Sequence, residues 1–124
     1  MFLIKTRVGP SPIHGYGVFA CQAVPIGSLV WRFYPPFDQV ISDDQIEGLP
    51  DAVRAHLDAY AYHSRELGGK LVLSGDHAKF LNHSADPNTE ERPSTSVARK
   101  TIEAGDEITC DYGAFCVGWS GFVM

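Results

Sequence analysis

Apolar runs in this chain are short, and glycine and proline cut them apart, with 12 Gly and 8 Pro among 124 residues. A chain punctuated this densely folds as many short strands joined by tight turns. The pattern predicts strands over 2–6, 17–21 and 29–33. Turns at Gly9-Pro10-Ser11-Pro12 and Val24-Pro25-Ile26-Gly27 separate them, and Pro35-Pro36 stops the third. The middle changes period. Ser42 and Gln45 have the spacing of a capping box for a short helix that Gly48 would end. After Pro50, residues Val53, Leu57, Tyr60 and Ala61 share one face at i, i+4, i+7 and i+8, which predicts a second helix running to Gly68-Gly69. Strands return over 70–73, 96–100 and 107–110. The expected fold class is mainly β (α+β), one domain over 1–124 with a helical insert over about 42–68.

The apolar share of 44% and charged share of 20% are those of an ordinary globular protein. No apolar run approaches the ~20 residues that span a bilayer. Met1-Phe2-Leu3-Ile4-Lys5 lacks a basic start, a long apolar stretch and a cleavage site, so it reads as a strand and not a leader. Three cysteines, Cys21, Cys110 and Cys116, form no Cys-x-x-Cys pair, and five histidines are scattered. That argues against a disulfide framework and a metal site and for a reducing compartment. The expected location is cytoplasmic, or nuclear, or host-directed if the source is microbial. A net charge of −5 without Lys/Arg clusters makes nucleic acid and anionic membrane poor partners. An acidic surface suits a basic protein tail, although solubility alone explains it as well.

Three segments carry chemistry. Gly15-Tyr16-Gly17, preceded by His14, lets the backbone turn tightly and approach a ligand. It lacks the third glycine and following helix of a dinucleotide fingerprint. Asn82-His83-Ser84-Ala85-Asp86-Pro87-Asn88, behind Phe80-Leu81, offers amide and imidazole groups to a heteroaromatic edge such as adenine. No acidic orienter is placed to make Ser84 a hydrolase nucleophile. Asp111-Tyr112-Gly113 puts a tyrosine at a strand end, where its hydroxyl can enter a cleft. Taken singly, these segments read more simply as a hairpin turn, a capped turn and a core tyrosine.

Their combination is more specific. Gly-x-Gly, then Phe-x-Asn-His-Ser-x-x-Pro-Asn, then Gly-x-Glu-Ile-Thr-x-Asp-Tyr occur in order, with matching turns at Val24–Gly27 and Ile102-Glu103-Ala104-Gly105. From about Val8 to Ala114 the chain resembles the SET domain of protein lysine methyltransferases. The resemblance implies a β-clip fold of small curved sheets with a C-terminal pseudoknot. It also implies methyl transfer from S-adenosyl-L-methionine to a protein lysine, the two entering from opposite faces.

By the same resemblance, His14, Gly15, Tyr16 and Gly17 line the cofactor with backbone atoms. Lys79 stands for a frequent Arg, as a point charge and not a planar fork. Asn82 and His83 hold the adenine and the amino-acid end, and Tyr112 is the catalytic tyrosine, also touching the cofactor. Phe33, Tyr62, Cys110 and Trp119 form the substrate channel, with Phe122 a second candidate wall. Cys110 stands where Phe or Tyr often limits the number of methyl groups, and Phe33 lacks a common channel hydroxyl. A cysteine-rich segment of the kind that follows many such domains is not expected here, and with so few flanks a homodimer is expected to complete the groove. The alternative is a non-catalytic binding module on the same strand framework. The Asn82-His83 and Asp111-Tyr112 pairs weigh against it, since a scaffold needs neither.

Overall fold

The computed structural model describes residues 1–118. In chain order the strands are β1 (Thr6–Pro10), β2 (Tyr16–Ala20), β3 (Leu29–Arg32), β4 (Gln39–Ile41), β5 (Tyr62–His63), β6 (Leu71–Leu73), β7 (Asn82–His83), β8 (Thr89–Arg92), β9 (Thr95–Ala98) and β10 (Glu107–Cys110). Helices α1 (Asp43–Ile46) and α2 (Asp51–Tyr60) lie between β4 and β5. The strands form three small sheets, ordered β1-β2-β10-β7, β3-β9-β8 and β4-β6-β5.

The core follows from the apolar alternation of β2, β3, β9 and β10. Val18, Val24, Val30, Ala98, Ile102 and Ile108 are all buried and pack together. The two turns noted in the sequence meet there. Val24 and Ile102 exchange backbone hydrogen bonds of 2.7 and 2.9 Å. Gly27 and Gly105 complete these turns at φ of 86° and 93°, a region that favours glycine.

Several boundaries depart from expectation. The first strand is Thr6–Pro10 and runs through the expected Gly9-Pro10 turn, while Phe2 makes only an isolated bridge to Trp31. Pro10 is tolerated because β1 is an edge strand ending there. The Ser42 capping box forms, with Gln45 N–H donating to Ser42 Oγ at 3.3 Å and Ser42 N–H to Gln45 Oε1 at 2.9 Å. The second helix stops at Tyr60, well short of Gly68-Gly69. Its predicted face buries Leu57, but Val53 is 44% exposed and Tyr60 36%. Tyr62 and His63 go extended because β6 offers them an edge, in register with Val72 and Leu71. Strands β4, β7 and β8 were not anticipated. They are short, and β8 (TEER) is polar, so their pairing comes from neighbours and not from pattern.

A buried carboxylate ties the segments on either side of the insert to the chain start. Asp38 accepts hydrogen bonds from Tyr34 N–H and Gly75 N–H, both 2.9 Å, and from the Met1 amino group at 2.8 Å. Gly75 must approach so closely that a Cβ there would lie 2.0 Å from the Phe37 carbonyl oxygen. Gly75→Ala should therefore destabilise the fold by about 2–3 kcal/mol, read as a lower urea midpoint, because backbone must shift to relieve the overlap.

Candidate active site

The site grows from one buried amide. Asn82 lies on β7, which pairs parallel with β10 so that Asn82 stands beside Thr109 and His83 beside Cys110. Its Nδ2 donates to the carbonyls of His14 at 3.0 Å and Tyr16 at 3.1 Å, and to Glu107 Oε2 at 2.9 Å. Ser11 Oγ donates to the same carboxylate, at 2.7 and 2.9 Å to its two oxygens. The loop between β1 and β2 is thus held from below. Gly17 is required there, since a Cβ would lie 2.4 Å from Glu107 Oε2. Gly15 is open, with nothing within 4 Å of an added Cβ.

The Pro87-Asn88 turn is fixed against the same strand. Asn88 Nδ2 donates to the Glu107 carbonyl at 2.8 Å, and Thr109 N–H donates to Asn88 Oδ1 at 2.9 Å. At the surface, Arg99 and Lys100 each reach Asp86 at 2.7 Å and hold its carboxyl down at about 2.

Tyr112 lies two residues beyond the end of β10. Its hydroxyl donates to the Leu81 carbonyl at 2.6 Å, and its backbone N–H donates to His83 Nδ1 at 3.2 Å. Accepting there places the proton of a neutral His83 ring on Nε2. Burial pushes the Tyr112 hydroxyl well above the usual tyrosine range, so it stays protonated. Beyond Tyr112 the chain turns back along the insert. Arg65 N–H donates to the Phe115 carbonyl at 2.9 Å and Val117 N–H to His63 at 2.8 Å. The Phe115 ring then sits 5.1 Å from both Tyr62 and Tyr112.

Two cavities meet at these aromatic rings. One of about 480 Å³ is lined by His14, Gly15, Tyr16, Lys79, Asn82 and Tyr112, with Asp58, Tyr60 and Tyr62. The other, of about 350 Å³, includes Trp31, Phe33, Tyr62, Glu91, Tyr112 and Phe115 in its wall. Tyr62, Lys79 and Tyr112 line both. The model of the SET domain family matches residues 15–113 of the chain, which takes in Lys79, Asn82, Glu107 and Tyr112.

The chain belongs to the SET-domain family.

A Plasmodium falciparum protein provisionally named histone-lysine N-methyltransferase 1 is 25% identical over 122 residues, covering 88% of this chain and 2% of its own length. A Mycosarcoma maydis protein named histone-lysine N-methyltransferase, H3 lysine-4 specific, is 24% identical over 120 residues, covering 87% of this chain and 8% of its own length. The chain therefore spans a small fraction of the curated relatives it matches. Among solved structures, a Chaetomium thermophilum polycomb repressive complex 2 in an autoinhibited conformation bound to S-adenosylmethionine has a TM-score of 0.67 at 24% identity, over 93% of this chain and 16% of that one. An active polycomb repressive complex 2 in the basal state has a TM-score of 0.64 at 26% identity, over 89% and 15%. The three short sheets are the β-clip architecture of this SET fold.

Within this SET domain the expected residues divide. His14, Gly15, Tyr16, Lys79, Asn82 and Tyr112 line the larger cavity, whereas Gly17 and His83 line neither. Gly17 packs on Glu107 instead, and His83 orients the Tyr112 backbone. Phe33 and Tyr62 line the smaller cavity. Cys110 does not. Strand alternation puts it on the core side with Ile108, its thiol buried and directed at the Asn82 carbonyl, 3.9 Å away. Trp119 and Phe122 fall outside the described residues. Among the described residues no helix is long and apolar enough to cross a membrane, and no cluster of three or more His, Cys, Asp or Glu could hold a metal.

Sequence reading assigned no role to Ser11, Glu107, Asn88 or Glu91. Glu107 and Asn88 stood inside the quoted motifs, but their partners are distant in sequence. Glu91 was hidden in the charged run Glu90-Glu91-Arg92. In β8 it alternates with an exposed Glu90–Arg92 ion pair and turns toward the cavity. Burial alone raises its carboxyl from 4.5 to about 7. The folded state therefore holds that proton more tightly, and stability falls as pH rises from 4.5 to about 7. Glu91→Gln should raise the melting temperature at pH 8, and the gain should vanish near pH 4, as read by circular dichroism.

Proposed function

We propose that this SET domain transfers a methyl group from S-adenosyl-L-methionine to the side-chain amine of a lysine in a protein. The observation that carries this reading is the place of Tyr112, on the shared wall of two cavities. The larger cavity, at about 480 Å³, is of ligand-pocket size. Its donor set suits this cofactor: open backbone at Gly15, the Lys79 cation for a carboxylate, and Asp58 as an acceptor. The SET-domain match and the names of both curated relatives support the same reaction class.

The cofactor supplies an electrophilic methyl group on a sulfonium. The protein supplies alignment, exclusion of water and oriented oxygen dipoles. Tyr112 meets the last need. Its O–H is committed to the Leu81 carbonyl, and burial keeps it neutral, so the phenol oxygen stands at the junction as a fixed acceptor. Tyr62 and Phe115 close the aromatic wall beside it. The attacking amine must be neutral. A lysine side chain, with a free pKa of ~10.4, therefore has to shed its proton before transfer. Asn82 acts through the loop, pinning the His14 and Tyr16 carbonyls so that the backbone facing the larger cavity is preformed.

Titration calorimetry with S-adenosylmethionine tests the reading, followed by transfer of labelled methyl to lysine peptides. Saturable binding is expected. Tyr112→Phe should keep cofactor affinity within a few-fold and lower kcat by ~100-fold or more. Asn82→Ala should weaken cofactor binding by about tenfold while the fold persists. Absence of binding at millimolar cofactor, or unchanged turnover in Tyr112→Phe, refutes the assignment.

A further inference from the structure

We infer that Glu91 is a specificity-determining residue of the smaller cavity, where its carboxylate receives the cationic head of an alkylamine side chain. The inference rests on the methyl-transfer reading only for calling that amine a substrate lysine.

Glu91 lies opposite Ser96 of β9, and both line the cavity of about 350 Å³. The aromatic rings of Trp31, Phe33, Tyr62, Tyr112 and Phe115 share its wall. The Glu91 carboxyl takes part in none of the side-chain hydrogen bonds or ion pairs found among the described residues. The remaining charged groups around the cavity are otherwise engaged. Glu66 accepts from Ser94 N–H at 2.9 Å and its O–H at 2.8 Å. Arg92 pairs with Glu90 at 2.9 Å, and Arg65 donates to the Gly113 and Cys116 carbonyls at 3.4 Å. Lys79 sits on the wall shared with the larger cavity.

A half-buried carboxylate against apolar rings is costly unless a cation joins it or it takes a proton. An alkylammonium answers both sides of this cavity. Its methylene stem packs on the rings, its N–H groups meet the carboxylate, and its charge gains from the aromatic faces. A neutral amide or an acidic side chain gains neither the ion pair nor the cation–π contact.

Protonation gates the effect. Burial raises the Glu91 carboxyl to about 7, so it attracts a cation above that pH and loses the attraction as pH falls through it. Tyr62 lines the cavity with it from β5 and Tyr112 from just beyond β10, while the Cys110 thiol is buried on the core side. Burial pushes all three above their usual ranges, so they carry no charge there.

The probe is n-butylammonium, a mimic of the lysine side chain, with n-butanol as control. In the full chain, the Glu91 side-chain carboxyl is followed by carbon NMR across pH 4–9. Saturating n-butylammonium should lower its midpoint by about one pH unit or more, and n-butanol should not. Glu91→Gln should weaken n-butylammonium binding by ~10-fold or more. It should also raise KM for a lysine peptide by ~10-fold, with kcat changed less than about threefold and cofactor affinity unchanged. The wild-type advantage in KM should disappear below pH 6. A Glu91 midpoint unmoved by the amine, or a Glu91→Gln variant that binds n-butylammonium as wild type does, overturns the inference. Amine binding through Glu91 in a protein that transfers no methyl group overturns the methyl-transfer reading and leaves this inference standing.

Discussion

The hydrogen bonds converging on the Glu107 carboxylate organise this molecule. Ser11 reaches it from the loop after β1, Asn82 reaches it from β7, and the backbone of Gly17 presses on it from β2. Each such buried hydrogen bond contributes on the order of 1 kcal/mol. They also convert a sequence separation of 96 residues, between Ser11 and Glu107, into a fixed distance. Asn82 extends the network to the His14 and Tyr16 carbonyls. The backbone that faces the larger cavity is therefore set before any ligand arrives, which removes an ordering cost from binding.

The parallel pairing of β7 with β10 carries the second half of the site. It brings Leu81, His83 and Tyr112 together, so that the tyrosine is held at both its backbone N–H and its hydroxyl. A group fixed twice and kept neutral by burial is suited to stabilising charge that moves, not to shuttling protons. That suits the displacement reaction proposed above, in which Tyr112 itself moves no proton. Glu91 adds a different element to the smaller cavity, a carboxylate whose ionisation depends on what lies beside it.

Much of the site was legible because its residues fall in compact local motifs. The Asn82–Asn88 and Gly105–Tyr112 blocks were visible as units, and so was the Gly-x-Gly loop. What each residue does was less legible. Asn82 reads as a ligand-facing amide, yet its Nδ2 points to two carbonyls and a carboxylate of its own chain. Cys110 reads as a channel residue, yet strand alternation turns it to the core. Glu91 reads as part of a solvated charge run, yet it faces a cavity. In each case the deciding fact is which way a strand residue points, and that depends on the partner strand.

The sequence alone determined the class of fold, the turn positions at Gly27 and Gly105, the Ser42 capping box and the identity of the chemical groups. These are local properties, set by allowed backbone angles, hydrogen-bonding side chains and short-range alternation. Only the tertiary structure decided where α2 ends, that β7 and β8 exist, and that two cavities share the wall of Tyr62, Lys79 and Tyr112. Those features arise from contacts between distant segments, whose energies no local window contains.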